Sequence, residues 1–280
     1  MSVAPTTPPA ARLGAEGRAV AAVWKREMIT FRRERLHLVV SLLQPLLILV
    51  ALGVGLGTVV PEDGSGLGYV TFLFPGVLVM AIQPPAFATG ASILWDREFG
   101  FLREMLVAPV RRESLLLGKV LAGTTIATCH GGILLVFAGA AGVPYDAALF
   151  AGFVAVLALA SFAMTGLGAL LAVWVPSPKS FQAATGLLLG PLVFLSGAFF
   201  PLSGLPSWLA ALTALNPLTY AVDAARRTLV ARLPADSAGG MFQGLELWGV
   251  PLPVSVELTV LTVFGTVFLL AAARRFARPD

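Results

Sequence analysis

A charged stretch at residues 94–113 (LWDREFGFLREMLVAPVRRE) lies between two long apolar runs. A helix over residues 95–107 places the large apolar side chains within about 60° of one another and the charged ones on the flank and far side. The apolar face contains Trp95, Phe99, Leu102 and Leu106, and the other face contains Asp96, Arg97, Gly100, Arg103 and Glu104. Ala108-Pro109 ends the helix, because proline disfavours helix in the preceding residue and lacks an amide donor. Such a helix would lie at a membrane surface and present its charges to an aqueous partner.

Three further polar residues fall within apolar runs and are candidates to line a path through the membrane: Gln44, Gln83 and His130. An ionisable group at mid-bilayer is a functional candidate by default, which gives His130 a possible substrate or proton role. The alternative is a neutral imidazole hydrogen-bonded to a neighbouring Ser, Thr or carbonyl group.

Motifs for catalysis are missing from the sequence. It contains no GxxxxGK[ST] phosphate loop, no HExxH or GxSxG motif and no paired-carboxylate site. Neither histidine has metal-ligand neighbours, and the single cysteine, Cys129, lies in an apolar run. We therefore expect no metal, no cofactor bound by this chain and no enzymatic activity.

The composition indicates a bilayer as the solvent. The 280 residues are 57% hydrophobic and only 12% charged, about half the charge of an average globular domain. The formal net charge of +4 does not indicate nucleic-acid binding, because the basic residues sit at the ends of apolar runs and form no aromatic-interleaved patch. Arginine-rich, alanine-rich usage is typical of a GC-rich bacterial genome.

Hydrophobic runs of about 20 residues are long enough to cross the hydrocarbon core. They predict an all-α membrane protein with six transmembrane helices, at residues 38–60, 67–94, 114–142, 147–175, 180–200 and 252–273. The second run contains Pro75, Pro84 and Pro85 and should be kinked or unwound, either to line a transport path or for purely structural reasons. Lys119 lies about a turn inside the third run and is expected to snorkel to the cytoplasmic surface.

The remaining segments predict interfacial structure. Residues 1–17 should be a disordered cytoplasmic tail, and residues 18–37 an amphipathic basic helix on the inner leaflet, or else a solvated basic segment. Residues 201–250 should form short outer re-entrant helices separated by Asn216-Pro217. In that region Asp223 is positioned to pair with Arg226 and Arg227. Residues 274–280 form a basic C-terminal tail after the permease domain at 18–273.

The charge distribution predicts the orientation. With six crossings both termini share one side, and that side collects 16 of the 19 lysines and arginines. The positive-inside rule makes this side cytoplasmic, in a plasma membrane protein.

Four segments together resemble the ATP-binding-cassette exporter permeases of the type 2 subfamily, over about residue 18 to the C-terminus. They are the basic amphipathic helix, FLFPGVLVM, WDREFGFLREMLVAPVRRESLLLGKVLAG, and SGAFFPLSGLPSWLAALTALNPLTYAVDAARR. The resemblance is specific in the WDREFGFLREMLVAP and NPLTYAVDAARR segments.

The resemblance implies a six-span half-transporter that pairs with a second permease copy, identical or a close paralogue. It implies two separate ATP-binding subunits, which would hold ATP and Mg. It makes residues 95–107 a coupling helix for the ATPase, whose contact residues would be Asp96, Arg97, Phe99, Phe101, Arg103 and Glu104. It places the outer motif, with Asn216, Pro217, Tyr220 and Asp223, after the fifth span.

The expected function is therefore outward transport of a drug-like, lipid or glycan substrate, driven by a separate ATPase. Two alternatives remain open from the sequence: a proton-coupled drug transporter without an ATPase, and a non-transporting membrane anchor for an ATPase.

Overall fold

The computed structural model describes residues 9–57, 68–98, 111–202, 205–233, 242, 244, 246–247 and 250–277. The helices, in chain order, are α1 (Pro9–Arg33), α2 (Arg35–Gly57), α3 (Tyr69–Ala81), α4 (Gln83–Glu98), α5 (Arg112–Ile133), a 3-10 helix (Leu134–Ala141), α6 (Ala147–Trp174), α7 (Pro178–Phe194), α8 (Ser207–Ala214), α9 (Pro217–Val230) and α10 (Val254–Phe276). Two short strands, β1 (Glu246–Leu247) and β2 (Val250–Pro251), pair antiparallel between α9 and α10. The fold is therefore helical, as predicted, apart from these two strands of two residues each, which no hydrophobic pattern in the sequence predicted.

Five described helices or helix pairs are long and apolar enough to cross a membrane: Leu38–Gly57, Tyr69–Glu98, Arg112–Ala141, Ala147–Trp174 and Val254–Phe276. They correspond to the first four and the last of the six predicted spans. The helix in the place of the fifth, α7, has 17 residues and contains Pro191.

The predicted interruption of the second span is confirmed. α3 ends at Ala81, Ile82 adopts a turn, and α4 begins at Gln83, directly before Pro84 and Pro85. These prolines have no amide hydrogen to continue the ladder of the preceding turn. Pro75 lies inside α3 and is accommodated there without a break.

The N-terminal helix is longer than predicted. α1 starts at Pro9, so residues 9–17 are helical, although their proline-rich, polar composition predicted a tail. The packing of α1 along α5 provides the tertiary contact that composition alone does not reveal. α1 ends at Arg33, and α2 begins after a break at Glu34.

The core of the bundle is built on the second span. α3 is buried along most of its length, and α6 packs against both α4 and α10. Close approach depends on glycine at Gly76, where an added Cβ would lie 2.7 Å from the backbone of Ala198. α2 contacts the bundle mainly through α3 and leaves much of its apolar surface exposed.

Candidate functional site

Two of the six predicted coupling residues, Asp96 and Arg97, lie in the last turn of α4. Phe99, Phe101, Arg103 and Glu104 fall outside the described residues, as do residues 99–107 of the predicted coupling helix. What the structure describes is therefore the residues on either side of this segment in the sequence, at the end of α4 and the start of α5.

Asp96 lies at the centre of an ion-paired group that we call the Asp96 cluster, formed by Arg26, Glu27, Asp96 and Lys119. Asp96 Oδ2 is 2.5 Å from Lys119 Nζ, and Asp96 Oδ1 is 3.2 Å from Arg26 Nη2. Glu27 Oε1 is 3.5 Å from Lys119 Nζ and 3.4 Å from Arg26 Nη2. Lys119 also donates to Ser92 Oγ at 2.5 Å. Two acidic and two basic side chains thus join α1, α4 and α5 near the end of α4.

This cluster changes the interpretation of two residues. Asp96 is only 8% exposed, so its carboxylate is directed into the bundle and away from an aqueous partner. Lys119 is 4% exposed, and the expectation that it snorkels to the surface is wrong. Pairing inside the protein is favoured because a buried ammonium group without a partner carries a desolvation penalty of several kcal/mol. The sequence did not reveal Arg26 and Glu27 as partners, because they lie about 70 residues before Asp96 and more than 90 before Lys119 along the chain.

Arg97 connects the end of α4 to a different part of the bundle. Its Nη2 donates to the carbonyl oxygens of Pro176 at 2.7 Å and Val175 at 3.3 Å, in the turn between α6 and α7. The guanidinium group therefore satisfies backbone acceptors that the end of α6 leaves without helical partners.

His130 is buried in α5 and hydrogen-bonded to α2. Its Nε2 is 2.7 Å from Ser41 Oγ, which is the structural alternative that the sequence left open. Both residues line a cavity of about 210 Å³ between α1, α2, α4 and α5, together with Glu27 and Glu34.

The three residues predicted for a substrate path do not form one site. Gln44 lines an apolar groove of about 1070 Å³ between α2 and the end of α7, with Leu47, Tyr69 and Phe194 among its walls. His130 lines the separate cavity beside Ser41. Gln83 is buried at the break of the second span, and its Nε2 has no hydrogen-bond partner among the described residues.

Side chains in and beside the outer motif form hydrogen bonds with the end of α7. Asn216 caps α9 by accepting from Leu218 N at 3.0 Å, and its Nδ2 donates to Leu192 O at 2.7 Å. Pro217 occupies the first turn of α9, where its missing amide costs nothing. Thr219 Oγ1 donates to Leu195 O at 3.2 Å, so two side chains of α9 satisfy carbonyl groups at the end of α7.

Arg226 provides a third contact to the same region. Its Nη2 donates to Gly197 O at 2.9 Å, and its guanidinium lies 3.9 Å from the ring centroid of Phe72. Burial lowers the pKa of Arg226 to about 10 and the charge of Asp223 opposes this shift, so the guanidinium stays protonated at neutral pH. Gly197 has a φ of 76°, a left-handed conformation that favours glycine.

The predicted local pairing of Asp223 is half correct. Asp223 Oδ2 accepts from Arg227 Nε at 3.0 Å, while Arg226, whose charge interacts with that of Asp223, donates its hydrogen bond to Gly197 O and lies over the ring of Phe72. Arg227 Nε also lies 3.8 Å from Glu257 Oε1, so the first turn of α10 joins this group. Tyr220 OH donates to Ala214 O at 2.7 Å and fixes the junction of α8 and α9.

The described residues contain no group of three or more His, Cys, Asp or Glu side chains arranged to hold a metal ion. Most of the polar side chains described above pair with groups on other helices or turns and so position the helices, whereas Gln83 Nε2 has no such partner among the described residues. In the described part of the chain, the geometry is that of a helical membrane protein whose helices are held together by internal hydrogen bonds and ion pairs.

The sequences of known proteins that match this chain include those of membrane proteins. The family described as ABC-2 type transporter matches residues 18–230. The putative transport permease ycf38 of Cyanophora paradoxa is 32% identical over 208 residues, covering 72% of this chain and 71% of its own. Nodulation protein J of Rhizobium leguminosarum bv. trifolii is 31% identical over 209 residues, covering 73% and 79%. The inner membrane transport permease YadH of Escherichia coli K12 is 27% identical over 214 residues, covering 74% and 81%. The resemblance found in the sequence is thus confirmed, and the chain belongs to the ABC-2 type transporter family as a membrane transport permease.

Proposed function

We propose that this permease exports a drug-like, lipid or glycan substrate when a separate ATP-binding subunit hydrolyses ATP. The observation that carries the proposal is the Asp96 cluster, which fixes α1, α4 and α5 to one another near the end of α4, directly before residues 99–110 in the sequence. If force on a surface helix is to tilt the second and third spans, the ends of those spans must be rigidly connected to each other.

The coupling contact in this proposal is made by residues 95–107. Phe99, Phe101, Arg103 and Glu104 contact the ATPase, while Asp96 and Arg97 hold the end of α4 through their internal partners. Two ATPases that close on ATP and Mg would displace this segment in both permease copies and open the dimer outward. Coupling requires that these contacts differ between the two states.

Six crossings complete the proposed topology. A helix of 17 residues such as α7 is about 26 Å long, close to the roughly 30 Å hydrocarbon core, and the segment to Phe200 extends it. Both termini are then cytoplasmic, and α8 and α9 are the outer re-entrant helices.

The substrate path in this proposal runs along the interface between two permease copies. The groove between α2 and α7 supports this, because it is apolar, about 1070 Å³ in volume and lined in part by exposed side chains of α2 such as Leu47. An exposed apolar groove of this size accommodates either a second copy or a hydrophobic cargo.

The test uses the permease reconstituted with its ATPase. Phe101→Ala and Arg103→Glu should each reduce substrate-stimulated ATP hydrolysis, whereas Arg232→Glu, at an exposed outer arginine, should not. Unchanged stimulation in both coupling variants would refute the assignment. Export by the permease alone in liposomes with a pH gradient and no ATP would favour the proton-coupled alternative.

A further inference from the structure

A cavity of about 350 Å³ opens at the end of the bundle where α4 and α6 finish, α5 begins and α10 finishes. Its walls include Arg97, Arg112 and Arg275, each from a different helix. No acidic residue is among the described residues that line it. Among the described residues, none of these three arginines forms an ion pair, which leaves three guanidinium groups around one space without a counter-charge.

The arginines keep donors available for a ligand. Arg97 uses Nη2 for the carbonyl groups of Val175 and Pro176, and a guanidinium group has five N–H donors in all. Arg275 is exposed and stands 6.0 Å from the ring centroid of Trp174. An anion shared by three arginines relieves their mutual repulsion and accepts charge-assisted hydrogen bonds.

Apart from the three arginines, the residues that line the cavity have apolar side chains. Leu94 and Ala172 are buried in its wall, and Val173 and Phe276 complete it. Trp174 projects beside it and is largely exposed, as tryptophan often is where hydrocarbon meets water. A cavity lined by both guanidinium groups and apolar side chains, at the ends of spanning helices, suits an amphiphile better than a free anion.

We propose that this cavity binds the phosphate group of an anionic phospholipid from the cytoplasmic leaflet, with the acyl chains lying along the apolar wall. The leaflet assignment rests on the orientation in the proposed function. The binding itself does not, since it is measured on purified protein without an ATPase. A free phosphate compound shares the headgroup chemistry, and the experiment distinguishes it from a lipid.

The test is native mass spectrometry of the full-length permease titrated with phosphatidylglycerol or with phosphatidylethanolamine of the same acyl chains. The wild type should bind one phosphatidylglycerol more tightly than phosphatidylethanolamine. Arg112→Gln combined with Arg275→Gln should weaken the binding of phosphatidylglycerol about thirtyfold, and Arg275→Gln alone about fivefold. The single variant, at an exposed residue, keeps the test valid if the double variant does not fold.

The matched control combines Arg111→Gln with Arg274→Gln. These arginines are the chain neighbours of the two tested ones, their loss changes the net charge equally, and neither lines the cavity. The control should bind phosphatidylglycerol as the wild type does. Equal loss in control and test variants, or no loss in either, would overturn the proposal.

Two further arms decide the source of the phosphate. Inorganic phosphate and glycerol 3-phosphate at millimolar concentration should not displace the bound phosphatidylglycerol. If either binds with the same dependence on Arg112 and Arg275 while the wild type shows no preference for phosphatidylglycerol, the ligand is a soluble phosphate compound and the lipid proposal fails. If the double variant loses only the ATPase in a pull-down and retains lipid normally, the surface is a protein contact and the proposal likewise fails.

Discussion

Lys119 and Asp96 depend on each other inside the bundle. Asp96→Asn would leave the Lys119 ammonium group with Glu27 as its only acidic neighbour in the cluster. Because the buried ammonium group then keeps only this longer ion pair, 3.5 Å from Glu27 Oε1, we expect a loss of up to about 3 kcal/mol in the free energy of unfolding. The measurement is denaturation of the purified permease in detergent.

The control for this variant is Glu98→Gln, two residues further along α4 and exposed, which should change stability by less than about 0.5 kcal/mol. A double variant, Asp96→Asn with Lys119→Met, should lose less than the sum of the two single variants, because the two side chains interact directly. Additive losses would show that the pair is not coupled.

The Ser41–His130 hydrogen bond makes a second prediction at this scale. Ser41→Ala removes the partner of His130 Nε2 and should lower the free energy of unfolding by about 1–2 kcal/mol. Ser255→Ala, at an exposed serine of α10, provides the matched control and should have little effect. Equal stability of the two variants would contradict a structural role for this contact.

At the scale of elements, α9 holds the end of α7 in place through side-chain hydrogen bonds to its carbonyl groups. Asn216→Ala removes both the cap of α9 and the donor to Leu192 O. Loss of a cap and of a buried hydrogen bond should cost about 2 kcal/mol in stability. Hydrogen exchange should accelerate at residues 192–200 and 216–219 and stay unchanged in α5.

The exposed Arg232 supplies the comparison for this experiment. Its ion pair with Asp146 is largely exposed, so Arg232→Gln should leave the exchange of residues 192–200 as in the wild type. Unaltered exchange in Asn216→Ala would mean that α9 does not hold the end of α7.

Sequence patterns predicted the helices well because bilayer crossing imposes long apolar runs with charges at their ends. The prolines also predicted the break between α3 and α4. The Asp96 cluster was not predictable, since periodicity within α4 gives the face of Asp96 but not which helix packs against that face. The same limit applies to Arg226, whose spacing from Asp223 suggested a local pair, whereas tertiary packing offered it Gly197 and Phe72.

At the scale of the whole molecule, the groove predicts that two copies of the permease meet along α2 and not along α10. Leu47 of α2 lines the groove and is 58% exposed, whereas Val263 of α10 is 54% exposed and does not line the groove. If two copies meet along α2 and α7, a cysteine at position 47 should form an intermolecular disulfide and one at position 263 should not. Both variants carry Cys129→Ser, because the native cysteine is itself exposed.

Non-reducing gel electrophoresis of membranes gives the result directly. A covalent dimer from position 47 with none from position 263 is the expected outcome. The reverse pattern would move the interface to α10 and leave the groove to lipid or cargo.

The contacts at the end of α7 have one more consequence. Asn216, Thr219 and Arg226 all donate to main-chain oxygens, those of Leu192, Leu195 and Gly197. Every amino acid has a main-chain oxygen, so the accepting positions should tolerate substitution far better than the positions whose side chains donate. A saturation library should accept many replacements at positions 192 and 195 and few at 216 and 226, while Gly197 stays restricted by its backbone angle and Ala198 by its fit against Gly76.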